Sequence, residues 1–120
     1  MSNSVQGDRP VKTINPPNPF PIAVLPGVTW ESGGMPMDGF NSITAAFTFS
    51  QIVTATIQKY LDFAGNMPVG EPAAVTTTAD APAWVTMEPG VPGVYFDLKI
   101  SNAGAVAAVI SNAGICLGVR

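Results

Sequence analysis

The feature that most constrains this chain is a side-chain period of two with no helical period beside it. Ile43, Ala45, Phe47 and Phe49 fall on one parity, while Thr44, Ala46 and Thr48 fall on the other. Successive side chains of a strand point to opposite faces, so this is the pattern of a strand with one dry face. Val53, Ala55 and Ile57 against Thr54, Thr56 and Gln58 repeat it, and the intervening Ser50-Gln51 is short enough for a hairpin or a bulged corner. Val94, Phe96, Leu98 and Ile100 against Tyr95, Asp97 and Lys99 give a third such run. Apolar residues three and four apart are not sustained anywhere, and Val, Ile, Thr and Phe dominate the regular stretches. Weaker strands are expected around residues 74–78 and 83–87, inside an irregular stretch, 66–93, rich in proline and glycine. About seven or eight short strands at roughly ten-residue spacing predict an all-β fold, a small antiparallel β-sandwich with the jelly roll as one of its forms.

The two ends of the chain read differently. Residues 1–26 carry Pro10, Pro16, Pro17, Pro19, Pro21 and Pro26, each of which removes a backbone donor and restricts the residue before it. They are expected to form an extended Pro-rich N-terminal arm without a regular strand, ahead of a β-sandwich domain over 27–120. Within the arm, Ile22-Ala23-Val24-Leu25 lies between Pro21 and Pro26 and has the form of an edge strand added to its own sheet or to a neighbour's. At the other end, Ser-Asn-Ala-Gly occurs at 101–104 and again at 111–114. Asn and Gly tolerate positive φ, so both copies are expected as hairpin loops of a three-stranded C-terminal meander whose Val106 and Ile110 are covered.

Charge narrows the function classes. Charged residues make up 11% of the 120 residues, against 47% hydrophobic, which leaves little solvated surface and points to a partner that covers part of it. The net charge is −3 and the pI about 4.5, and of the basic residues only Arg9 and Lys12 are neighbours, so direct nucleic-acid binding is not expected. The N-terminus has no signal-peptide pattern, and no apolar run approaches the eighteen or so residues needed to cross a bilayer, so no membrane association is expected.

Chemistry is equally restricted. The chain has no histidine, which removes the commonest general base and transition-metal ligand together. Asp8, Glu31, Asp38, Asp62, Glu71, Asp80, Glu88 and Asp97 are dispersed, with no calcium-loop spacing. Cys116 has no partner cysteine or histidine and is read as a small hydrophobe on a strand. Gly33-Gly34 precedes no Lys-Ser or Lys-Thr and is read as a flexible loop. No catalytic residue, metal or cofactor is therefore expected. Trp30 and Trp84 are the residues able to stack on a sugar ring, although tryptophans of small sandwiches more often serve as core or interface anchors.

The Pro-rich N-terminus, Gly39-Phe-Asn-Ser-Ile leading into an alternating strand, Val53-Thr-Ala-Thr-Ile-Gln-Lys after it, and Val94-Tyr-Phe-Asp-Leu-Lys-Ile before the terminal strands together resemble the capsid decoration, or cement, proteins of tailed bacteriophages. That resemblance implies a non-enzymatic virion structural protein on the capsid exterior, assembled in the host cytoplasm. Its partner would be the major capsid protein lattice, which it would bind and stabilise as a homo-oligomer, a trimer above all. Pro16, Pro17, Pro19, Phe20, Ile22, Val24 and Leu25 of the arm are then the expected partner-binding residues. The alternative is a carbohydrate- or receptor-binding sandwich, an accessory of the head fibre, neck or tail, with Trp30 or Trp84 as its platform.

Overall fold

The computed structural model describes residues 11–87 and 93–119. Residues 1–10 of the expected arm, with Arg9 and Pro10, and residues 88–92 of the irregular stretch lie outside the described residues. Among the described residues ten strands follow in order: β1 (Val11–Ile14), β2 (Ala23–Val24), β3 (Thr29–Glu31), β4 (Met35–Pro36), β5 (Ser42–Phe49), β6 (Thr54–Tyr60), β7 (Pro68–Thr76), β8 (Pro82–Met87), β9 (Tyr95–Ser101) and β10 (Ala108–Gly118). They form two sheets with antiparallel pairing throughout. One has the order β3-β9-β6-β7, with β4 also on β9; the other has the order β1-β10-β5-β8, with β2 also on β10. With the two-residue strands β2 and β4 set aside, eight strands switch sheet at every step except the β6–β7 hairpin, the double Greek key of a jelly roll.

The core is the dry parity of the alternating runs. Ile43, Ala45, Phe47 and Phe49 of β5 and Ile115 and Leu117 of β10 meet Ala55 and Ile57 of β6 and Phe96, Leu98 and Ile100 of β9, all of them buried. Each of these larger aliphatic side chains contributes roughly 1.5–3 kcal/mol by leaving water. The position after Ile57 on the same parity is Lys59, which is 1% exposed and donates from Nζ to the Asn41 carbonyl at 3.1 Å. Burial holds its ammonium below the usual lysine pKa.

The expected arm proves, over its described part, to contain regular strand laid on its own sandwich. Val11-Lys-Thr-Ile pairs with Ile115 to Gly118, and Ala23 and Val24 pair with Val109 and Ala108. Between them the chain crosses to the other sheet, where Asn18 donates its backbone N–H to Ser32 O at 2.9 Å and its side-chain amide to Glu31 O at 2.7 Å. Residues 11–24 thus close one open side between the sheets, and the prolines occupy stretches that contribute no ladder rungs.

Two loop expectations change as well. Gly33-Gly34 is a loop, as expected, but Gly34 is packed against Tyr95. Ser32, fully buried, donates its N–H to Leu98 O at 2.9 Å while its hydroxyl accepts the Leu98 N–H at 2.9 Å, so β3 and β4 act as one edge strand broken by a tight excursion. Gly33 has φ +80, and a Cβ on Gly34 would fall 1.8 Å from the Tyr95 ring. The second Ser-Asn-Ala-Gly is not a loop either: it lies inside β10, where Asn112, Ala113 and Gly114 pair with Thr48, Phe47 and Ala46 past a bulge between Ile110 and Asn112. No terminal meander forms: β9 and β10 lie in different sheets, and the first copy opens the crossover between them instead of closing a hairpin.

Candidate functional site

The seven expected partner-binding residues divide by the face they occupy. Pro16 is buried. Val24, 1% exposed, belongs to the core. Phe20 stacks on Trp30 with ring centroids 4.8 Å apart, and the Trp30 indole donates to Pro19 O at 3.3 Å. Pro17 and Pro19 are exposed along the crossing. Ile22 and Leu25 alone of the large aliphatic members turn to solvent, at 86% and 59% exposed. Pro16, Phe20 and Val24 have been drawn inward because the segment seals its own sandwich.

Ile22 and Leu25 have neighbours that sequence reading placed elsewhere. Val109 is exposed opposite Ala23, and Ile110 donates its N–H to Ile22 O at 2.9 Å. Val106, expected under cover, is exposed, whereas Ile110 is half-buried against the core. The group is tied together by Asn102 of the first Ser-Asn-Ala-Gly. Its buried amide donates to Val24 O at 2.9 Å and to Val106 O at 2.8 Å, and its Oδ1 accepts the Gly104 N–H at 2.9 Å. Its backbone donates to Val28 O and accepts from Gly27 N–H. The result is a ledge of Ile22, Leu25, Val106 and Val109 on a fixed backbone, with no charged residue in 13–30 or 100–119. Beside it, Leu25 and Val28 line a depression of about 440 Å³ that reaches Trp30.

The two tryptophans have opposite environments. Trp30 is buried, and its stacking surface is taken by Phe20. Trp84 lies on the outer face of β8 and is 65% exposed. It pairs across the ladder with Ala46, which pairs in turn with Gly114, beside a depression of about 420 Å³.

The remaining polar chemistry is local. On the outer face of β9 and β6, the Tyr60 hydroxyl meets Asp97 Oδ2 at 3.1 Å, and Oδ1 of Asp97 has no hydrogen-bond partner among the described residues. Burial, together with the Asp97 charge and hydrogen bond, raises the Tyr60 pKa to about 12. Burial also raises Asp97, against the lowering effects of the Tyr60 hydrogen bond and Lys99. Lys12 pairs with Asp38 at 3.0 Å and Lys99 with Glu31 at 3.8 Å, both in solvent. Cys116 is half-buried on the outer face of β10 rather than in the core. Among the described residues no three His, Cys, Asp or Glu side chains gather to hold a metal ion, and no helix is long and apolar enough to cross a membrane.

No protein-family profile and no curated protein matches the chain. Among solved structures, that of PirA superposes on 97% of this chain and 99% of its own with a TM-score of 0.52 and 12% sequence identity. At that identity the likeness is one of fold, and it agrees with the two-sheet architecture.

Proposed function

We propose that this protein is a non-enzymatic virion structural subunit that attaches to a capsid lattice as a decoration protein, docking through the ledge of Ile22, Leu25, Val106 and Val109. The observation that carries the reading is the combination of four solvent-facing aliphatic side chains with an anchored backbone. A monomer gains nothing from exposing them, and isolated exposed apolar residues are common, but four of them on uncharged segments joined through one buried Asn102 mark a protein-contact surface. The rigid support lowers the cost of docking, because the backbone bearing the group is already ordered before a partner arrives. Many copies on a repeating lattice would turn a modest contact into durable attachment and bridge neighbouring capsid subunits. The jelly roll itself does not decide the matter, since it serves both capsid and lectin domains.

Attachment therefore resides in one edge of the folded sandwich rather than in a free clamp. Co-sedimentation with undecorated capsid particles tests it. The double variant Ile22→Asp/Leu25→Asp is expected to keep its fold, since both side chains already face water, and to lose binding at least tenfold. Wild-type-like co-sedimentation of that variant, or none by the wild type on any tailed-phage capsid tried, refutes the proposal.

A further inference from the structure

The outer face of the β8-β5-β10 sheet carries a second surface, chemically unlike the ledge. Three ladder rows cross it. Pro82, Thr48 and Asn112 form one row; Trp84, Ala46 and Gly114 the next; Thr86, Thr44 and Cys116 the third, with the Thr44 and Thr86 hydroxyls 3.1 Å apart. In the middle row the indole thus stands beside a methyl group and a hydrogen, leaving its flank open over a floor almost without side chains. That floor is not required by the fold. Gly114 is not among the glycines with positive φ, and a Cβ built on it would meet no atom within 4 Å. A large aromatic side chain left 65% exposed beside a glycine the backbone does not need leaves a depression with room for a ligand.

The lining identifies the occupant. It contains no charged residue and a single exposed aromatic ring. A quaternary ammonium would call for a cage of several rings, and a nucleic-acid base would bring phosphates to a surface that has no Lys or Arg. A pyranose ring meets both conditions: its C–H face lies on an indole, and its hydroxyls need neutral donors and acceptors. Those are supplied on the neighbouring row by the Thr48 hydroxyl and by the Asn112 amide, which no other described residue engages. We infer that this face binds a neutral glycan, with one pyranose ring stacked on Trp84 above Ala46 and Gly114. Trp30, the other tryptophan, has no such role because Phe20 covers it.

The test uses the full chain on an array of immobilised neutral glycans, followed by titration of the best-bound free oligosaccharide and detection by tryptophan fluorescence. Trp84→Ala and Gly114→Val are expected to weaken binding at least tenfold with thermal midpoints unchanged, the first by removing the platform and the second by filling the floor. The ledge variant Ile22→Asp/Leu25→Asp is expected to bind the same oligosaccharide as well as wild type, so capsid attachment and glycan binding succeed or fail separately. The inference is overturned if no neutral glycan binds wild type at millimolar concentration, or if Trp84→Ala and Gly114→Val bind as wild type does. It is overturned equally if Trp84 mediates only self-association, seen as a wild-type oligomer that Trp84→Ala dissolves with no glycan bound.

Discussion

Asn102→Ala is the sharpest test of how the sandwich holds its ledge. The Asn102 side chain makes three hydrogen bonds of 2.8–2.9 Å: to Val24 O, to Val106 O and from Gly104 N–H. The last two partners lie near solvent and can be rehydrated, so each loss costs about 1 kcal/mol net; Val24 O is buried, and leaving it unmet costs about 1–3 kcal/mol. The sum is about 3–5 kcal/mol, a large part of the roughly 5–15 kcal/mol that stabilises a domain. At about 4 °C per kcal/mol for a chain of this size, the midpoint should fall by about 12–20 °C in a thermal melt followed by circular dichroism. Asn102→Asp should be no better, because it keeps the acceptor for Gly104 but turns a carboxylate oxygen toward two carbonyls. Hydrogen exchange adds a local readout, since the Gly27 and Ile110 amides at the ledge should lose protection. A midpoint within about 3 °C of wild type would refute the argument that this side chain joins β2 to the β9–β10 loop.

Removing residues 1–26 should lower stability measurably, by about 2 kcal/mol from Val24 burial alone, and urea titration of the shortened chain checks it. Tyr60 should ionise near pH 12 rather than 10, read by ultraviolet absorbance in a Tyr95→Phe background. Asp97→Asn should move that ionisation part of the way down, because burial, the larger cause, remains. Since the unfolded tyrosine ionises first, Tyr60 contributes its full stability below pH 10 and loses it as the pH rises toward 12. Deleting Ser111 should destabilise the fold severely, whereas Ser111→Ala should be close to neutral; equal melting midpoints for the two would show that the bulge is dispensable.

The long strands were legible because their alternation is set by one buried face, a signal that survives without tertiary information. Ile43 to Phe49, Val53 to Ile57 and Phe96 to Ile100 all lie with the expected parity toward the core. Lys59 was not legible as an inward residue: its parity is right, but a lysine there reads as the end of the run unless an acceptor such as Asn41 O is known. In the leader, Ile22-Ala-Val-Leu reads as an edge strand and Ala23–Val24 pairs as one, whereas Val11-Lys-Thr-Ile does not read as strand, being only four residues long between prolines, with an alternation that gains meaning only from the edge of β10 that it covers. Trp84 and Trp30 were indistinguishable as candidates, since exposure depends on which parity of β8 faces the core and on Phe20 arriving from the leader.

The deepest illegibility is the bulge, and both proposed surfaces depend on it. Before it, Ala108 is buried and Ile110 half-buried while Val109 faces out; after it, the buried residues are Ile115 and Leu117, on the opposite parity. Ile110 faces Phe49 and Asn112 faces Thr48, so two residues advance on β10 for one on β5. One extra residue therefore reverses which side chains reach the core. It lets a single strand present Val109 to the ledge at one end while placing Asn112 and Gly114 beside Trp84 farther along. Read without the bulge, the second Ser-Asn-Ala-Gly has no consistent strand parity, and a turn is the natural inference from its residues. The ladder with β5 overrides that local preference because breaking it would strand Phe47 and Phe49 without their cross-strand partners, Ala113 and Ile110.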